Sequence, residues 1–146
     1  MSTAKLPLLL IAEDDPEDRM LMADAMEECQ WLGPSAFVED GEELMNYLNR
    51  VEPYAHLRDE NLPGLILLDL NMPRKDGREA LEEIKADPRL ETIPIVVFST
   101  SRAEEDIHTT YQLGVNSFIT KPANFANLVD MMKTIKKYWL EIVELP

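Results

Sequence analysis

The chain has 146 residues, enough for one domain with a real core and too few for a second. Its 28 acidic against 14 basic residues give a formal charge of -14, which argues against nucleic acid or an anionic membrane as partner, since no basic patch is segregated along the sequence. No apolar run approaches the roughly 20 residues of a bilayer span, and MSTAKLP lacks a signal-peptide hydrophobic region, so a soluble, cytoplasmic protein is expected.

Short apolar runs bounded by turn residues alternate with stretches of helical period, the pattern of repeated strand-helix units. The first strand, Leu8–Ala12, runs straight into Glu13, Asp14 and Asp15. Asp15 is a good helix N-cap, Pro16 suits the first helical position, and Glu17 and Asp18 set negative charge at the positive end of the helix dipole. Cys29, the one cysteine, has no disulfide partner and no His or Asp at nucleophile spacing, so it reads as a small buried hydrophobe. A weak strand, Ala36–Val38, precedes a helix over Gly41–Arg50. The connection Val51–Gly64 is longer than most in an α/β domain, and its His56 reads as solvated rather than as a ligand or base.

The third strand, Leu65–Leu68, leads into Asp69, and a helix over Gly77–Ala86 follows the cap Asp76. Next come the strand Ile95–Phe98, a helix over Arg102–Leu113 closed by Gly114, and the strand Ser117–Ile119. The last helix starts near Asn124 and carries Leu128, Met131, Met132, Ile135, Trp139 and Ile142 at helical spacing, with Lys133, Lys136 and Lys137 on a solvated face. Because Leu65–Leu68 and Ile95–Phe98 are continuous rather than alternating, both faces of the sheet should be covered. The expected fold is an α/β domain with a five-stranded parallel sheet.

In such sheets ligands bind beyond the carboxyl ends of the strands, where the strand order reverses. The residues there are Glu13 and Asp14, Asp69, Ser99 and Thr100, and Thr120 with Lys121. In the flavodoxin-like order 2-1-3-4-5, Asp14 and Asp69 face each other on strands about 4.8 Å apart. Two carboxylates about 4 Å apart repel by roughly 4 kcal/mol at an effective dielectric of 20, so the cluster calls for a proton or a hard cation such as Mg²⁺. An ionised aspartate beside Mg²⁺, with a lysine and a hydroxyl near it, is equipped to attack phosphorus without a general base. No GxxxxGK[ST] or GxGxxG loop is present to bind a nucleotide, so the phosphoryl group must come from elsewhere. Taken alone, Glu13 and Asp14 could equally be a strand-end turn with helix-capping charge.

IAEDD, ILLDLNMPRKDG, VVFSTS and FITKP, in that order, resemble the receiver domain of two-component response regulators over roughly Leu8 to Trp139. The resemblance implies a single receiver domain over 1–146, with a core of about 6–140 and an extension of the last helix over about 138–146. It implies that Asp69 accepts a phosphoryl group from a histidine kinase, and that Glu13, Asp14, Asp69 and the Asn71 carbonyl bind Mg²⁺. Ser99 and Phe118 match the switch hydroxyl and switch aromatic, and Lys121 matches the lysine that pairs with the phosphoryl group. Asn71 and Ser101 match positions that tune autodephosphorylation. Lys121–Pro122 would be a cis bond, as only about 5–6% of X-Pro bonds are. Asp76 remains a cap rather than an acceptor.

VEPYAHLRDENLPG, FSTSRAEEDI and KKYWLEIVELP are further similar to the stand-alone receivers paired with phytochromes, photoreceptor histidine kinases. That similarity implies a homodimer through the fourth helix, fifth strand and fifth helix, with Trp139, Leu140, Ile142, Val143 and Leu145 adding apolar surface. Two other readings compete. A haloacid-dehalogenase-type phosphatase also uses a nucleophilic aspartate but wants a second acid where Asp69-Leu70-Asn71 has an amide, and a pseudo-receiver would bind partners without phosphorylation.

Overall fold

The apolar runs become strands β1 (Leu9–Ala12), β2 (Ser35–Val38), β3 (Leu65–Leu68), β4 (Ile95–Ser99) and β5 (Ser117–Thr120). The computed structural model describes residues 7–31, 33–100 and 104–138, the side chains of 104 and 105 excepted. All strand pairs are parallel, in the order β2-β1-β3-β4-β5. The flavodoxin-like expectation holds, and the reversal point lies between β1 and β3.

Side chains alternate across the sheet, so it feeds two cores. Leu10, Ala12, Ile66, Leu68, Ile95 and Val97 pack on one side with Leu44, Leu48, Leu81 and Ile84 from helices α2 (Gly41–Leu48) and α3 (Gly77–Ala86). On the other side, Leu9, Ile11, Leu65, Leu67, Val96 and Phe98 meet Met22, Ala25 and Met26 of α1 (Pro16–Glu28) and Leu128, Val129, Met132 and Ile135 of α5 (Phe125–Ile135). Every residue of β1, β3 and β4 is buried, which is why their sequences are continuous apolar runs. Full burial of each Leu, Ile, Val or Phe among them stabilises the fold by about 1.5–3 kcal/mol.

The helix starts follow the caps. Asp15 accepts from the Glu17 N–H, Asp40 from Glu43, Asp76 from Glu79 and Asn124 from Asn127, at 2.7 to 3.0 Å. The helix ends differ more from expectation. Helix α2 stops at Leu48 rather than Arg50, because Asn49 caps it and Arg50 turns into the left-handed region at φ 57°. Helix α4 spans Glu104–Gln112 and closes at Gly114, whose φ of 95° favours glycine; the expected start at Arg102 lies outside the described residues. Beyond α5 a π turn covers 136–138, and Trp139, Leu140, Ile142, Val143 and Leu145 of the expected extension lie outside the described residues.

The long connection holds a 3₁₀ turn, Ala55–Leu57, and exposed His56, whose Nδ1 lies 2.9 Å from the Pro53 carbonyl. Cys29 is buried, as expected, and its thiol donates to the Met26 carbonyl at 3.4 Å. Lys133 and Lys137 are exposed, whereas Lys136 is half-buried and donates to the Cys29 carbonyl at 3.2 Å. Among the described residues the cis peptide bond is Glu52–Pro53. The expectation for Lys121–Pro122 is corrected: that bond takes the ordinary trans form, which X-Pro favours by about 0.5–1 kcal/mol. No helix among the described residues is long and apolar enough to cross a membrane.

Candidate phosphoryl-acceptor and metal site

The carboxyl ends of β1 and β3 bring the three acids together. Ala12 pairs with Leu68, and the Asp69 N–H donates to the Ala12 carbonyl at 3.1 Å, so Glu13 and Asp69 are the next residues along the two strands. Asp14 follows one residue later and is half-buried, while Glu13 and Asp69 are only 3% and 4% exposed. One carboxylate oxygen from each of Glu13, Asp14 and Asp69 lies within 4.8 Å of the others. In-register pairing therefore sets Glu13, rather than the expected Asp14, in step with Asp69.

Lys121, just past β5, reaches into this group. Its ammonium contacts Glu13 Oε1 and lies 3.1 Å from Asp69 Oδ2 and 3.2 Å from Asp18 Oδ2. Burial pushes the Glu13 carboxyl up to about 7; Asp69 adds to the push and Lys121 opposes it. For Lys121 burial alone would lower the ammonium, but the contact with Glu13 and the charges of Asp69 and Glu13 outweigh it and hold the group above the usual lysine range. Three acids share one positive charge and Asp14 joins the cluster. Such a set of closely spaced carboxylate oxygens fits a hard divalent cation.

Asn71 completes the Asp69 environment. Its backbone N–H donates to Asp69 Oδ1 at 3.1 Å, and its side-chain amide donates to Ser99 Oγ at 3.4 Å. Ser99 ends β4 fully buried, so the expected hydroxyl stands beside the same loop residue that orients Asp69. Phe118 lies on β5, packs partly buried against the α2–α3 side of the core, and donates its N–H to the Tyr111 hydroxyl at 3.1 Å. Ser101 lies outside the described residues.

The sequence reading missed three contributors. Arg19 donates one guanidinium nitrogen to the carbonyls of both Glu13 and Asp14 at 2.9 Å, holding the turn that carries them. Its place on the first turn of α1 was the available signal. Asp18, read only as helix-terminal charge, also pairs with Lys121. Arg78 of α3 grips Asp106 of α4 through two bonds of 2.7 Å, a contact across 28 residues with no local signal. Beside Lys121 a cavity of about 110 Å³ opens, lined by Leu21, Met22, Phe98, Pro122, Phe125 and Leu128 among others. Of these, Leu21 and Phe125 are exposed.

Comparison with known proteins agrees with this geometry. The family model described as the response regulator receiver domain matches residues 9–133. Response regulator Rcp1 of Synechocystis is 39% identical over 139 residues, covering 95% of this chain and 92% of that protein. The crystal structure of the phosphorylated cyanobacterial phytochrome response regulator RcpA superposes with a TM-score of 0.88 at 43% identity, covering 98% of this chain and 99% of that one. A Mn²⁺-bound crystal form of Rcp1 gives a TM-score of 0.86 at 38% identity, covering 96% of this chain and 99% of that one. A receiver fold, a buried acid cluster with a lysine and a family match over most of the length converge, and the chain belongs to the response regulator receiver domain family.

Proposed function

We propose that Asp69 accepts a phosphoryl group from a phytochrome-type histidine kinase in a Mg²⁺-dependent reaction, and that the aspartyl phosphate switches protein contacts or passes the group onward. The observation that carries this reading is Asp69 itself: buried, held on Oδ1 by the Asn71 N–H and on Oδ2 by Lys121, inside the acid cluster. The kinase class rests on the names of the relatives, one of which is a phytochrome response regulator.

In the reaction an Asp69 carboxylate oxygen forms a bond to phosphorus as the P–N bond of phosphohistidine breaks; the departing nitrogen keeps that electron pair, and imidazole takes its proton from solvent. Glu13, Asp14, Asp69 and the Asn71 carbonyl would hold the Mg²⁺, which when bound neutralises charge on the transferring oxygens. Lys121 supplies a second, fixed positive charge on the β5 side. Transfer leaves a charge of about -2 at Asp69, where the free carboxylate carried -1. Ser99, within reach of Asn71, and Phe118, on the half-exposed edge strand, are then the switch pair, while Asn71 and Ser101 tune the return to free Asp69. The exposed Leu21 and Phe125 beside Lys121 offer the kinase an apolar footing close to the acceptor.

The remaining parts of the reading are a single domain over 1–146, a cytoplasmic location, no nucleic-acid or membrane partner, and a homodimer through α4, β5 and α5. The edge position of β5, with all four residues half-exposed, and Tyr111 at 47% exposure support that dimer face. The family match leaves the phosphatase alternative without support, and the assembled acid cluster argues against a pseudo-receiver. Incubation with acetyl phosphate and Mg²⁺ followed by intact-mass measurement tests the acceptor chemistry. One added phosphoryl group, lost in Asp69→Asn, is expected; an unshifted wild type overturns the proposal.

A further inference from the structure

Asp40 takes no part in the acid cluster, yet it is only 3% exposed. Its Oδ1 accepts from the Glu43 N–H at 2.7 Å and caps α2, while its Oδ2 receives Arg74 Nη1 at 2.6 Å. Arg74 belongs to the connection between β3 and α3 and adopts the left-handed region at φ 62°. The next residue, Lys75, presents its carbonyl to the Gly41 N–H at 2.8 Å, and this approach leaves no room for a Cβ at Gly41. At the base of the same connection, the Gly77 N–H donates to the Leu70 carbonyl at 2.9 Å, and the Asp69 carbonyl leaves no room for a Cβ there. The connection is therefore pinned to its own base by Gly77 and to α2 by Asp40 and Gly41.

What this connection carries is Asn71, whose N–H orients Asp69 and whose amide reaches Ser99. We infer that Asp40 and Arg74 are positioning residues for the acceptor site: their ion pair anchors the connection to α2 and so fixes where Asn71 meets Asp69, Ser99 and the divalent cation. Arg74 is 67% exposed on its side chain, so the pair adds little as a surface salt bridge. The buried partner is Asp40, and both its oxygens are used. A buried carboxylate committed to one loop arginine fixes geometry.

The inference rests on the reading of Asp69 as acceptor and of the Asn71 carbonyl as a metal ligand. It is tested by titrating Mn²⁺ calorimetrically into the full chain and its Arg74→Ala, Arg74→Lys and Asp40→Asn variants, with phosphorylation rates from acetyl phosphate followed by intact mass. Arg74→Ala and Asp40→Asn should each weaken Mn²⁺ binding by up to about tenfold and slow phosphorylation. Arg74→Lys should recover most of the loss. The double variant should be no weaker than the worse single one, because both changes remove one contact. Arg74→Ala needs no buried group to be replaced, so it carries the test if Asp40→Asn folds poorly. Wild-type Mn²⁺ binding and phosphorylation in Arg74→Ala would overturn the inference, as would losses that simply track a lower unfolding temperature. If the wild type binds Mn²⁺ but takes no phosphoryl group, the acceptor reading fails, and the Mn²⁺ titrations still decide the anchor.

Discussion

Strands β3 and β5 lie in one sheet and deliver the two halves of one ion pair, Asp69 and Lys121, yet they are held very differently. Strand β3 is central, paired on both sides and buried at all four residues. Strand β5 is an edge, paired among the described residues with β4 alone and half-exposed throughout. In the helix beside it, α4, the Thr110 hydroxyl turns back onto the Asp106 and Ile107 carbonyls, and polar ties to Arg78 and to the Phe118 N–H link it to its neighbours. The lesson is a division of labour. In the proposed switch, the buried centre would hold the acceptor and the half-exposed β5 side would respond to its charge.

Substitutions can break this contrast or sharpen it. Lys121→Met should have the largest effect, since it leaves buried Glu13 and Asp69 without their cation; urea unfolding should show a loss of about 4 kcal/mol, partly restored by adding Mg²⁺. If Mg²⁺ restores nothing, the acids do not hold the metal. Leu67→Ala, in the buried centre, should cost about 3 kcal/mol in the same assay. Ile119→Ala on β5 should cost only about 1 kcal/mol, because its side chain is partly exposed. Equal costs for these two would erase the distinction between centre and edge. Arg78→Ala should change global stability by less than about 1 kcal/mol, since Arg78 is partly exposed, while speeding hydrogen exchange in residues 106–112. Unchanged exchange there would mean that Arg78 does not tether α4.

Much of this architecture was legible from periodicity, because β1, β3 and β4 are apolar on both faces and the helix starts carry side-chain caps. Weak β2 was legible only in outline, since its half-exposed residues dilute the apolar signal. Helix ends were harder to read: Arg50 continues a plausible helical pattern in sequence but enters the left-handed region in the fold. In the site, the acids, Ser99 and Lys121 were readable because each directly follows or ends an apolar run. The ties of Asp18, Arg74 and Arg78 were not, because an aspartate or arginine on a polar helix face or loop looks the same in sequence whether it is solvated or bonded to a group 103, 34 or 28 residues away. The Asp40 cap was not read from the sequence. Nor was the bond of its second oxygen to Arg74.

The most direct test is to locate the phosphoryl group. After phosphorylation with acetyl phosphate and Mg²⁺, borohydride reduction converts an aspartyl phosphate to homoserine, which peptide mass mapping can place in the sequence. Homoserine at position 69 alone is the predicted result. Homoserine at position 14 or elsewhere, or none in a sample whose intact mass has shifted, would contradict the assignment of Asp69 as the acceptor.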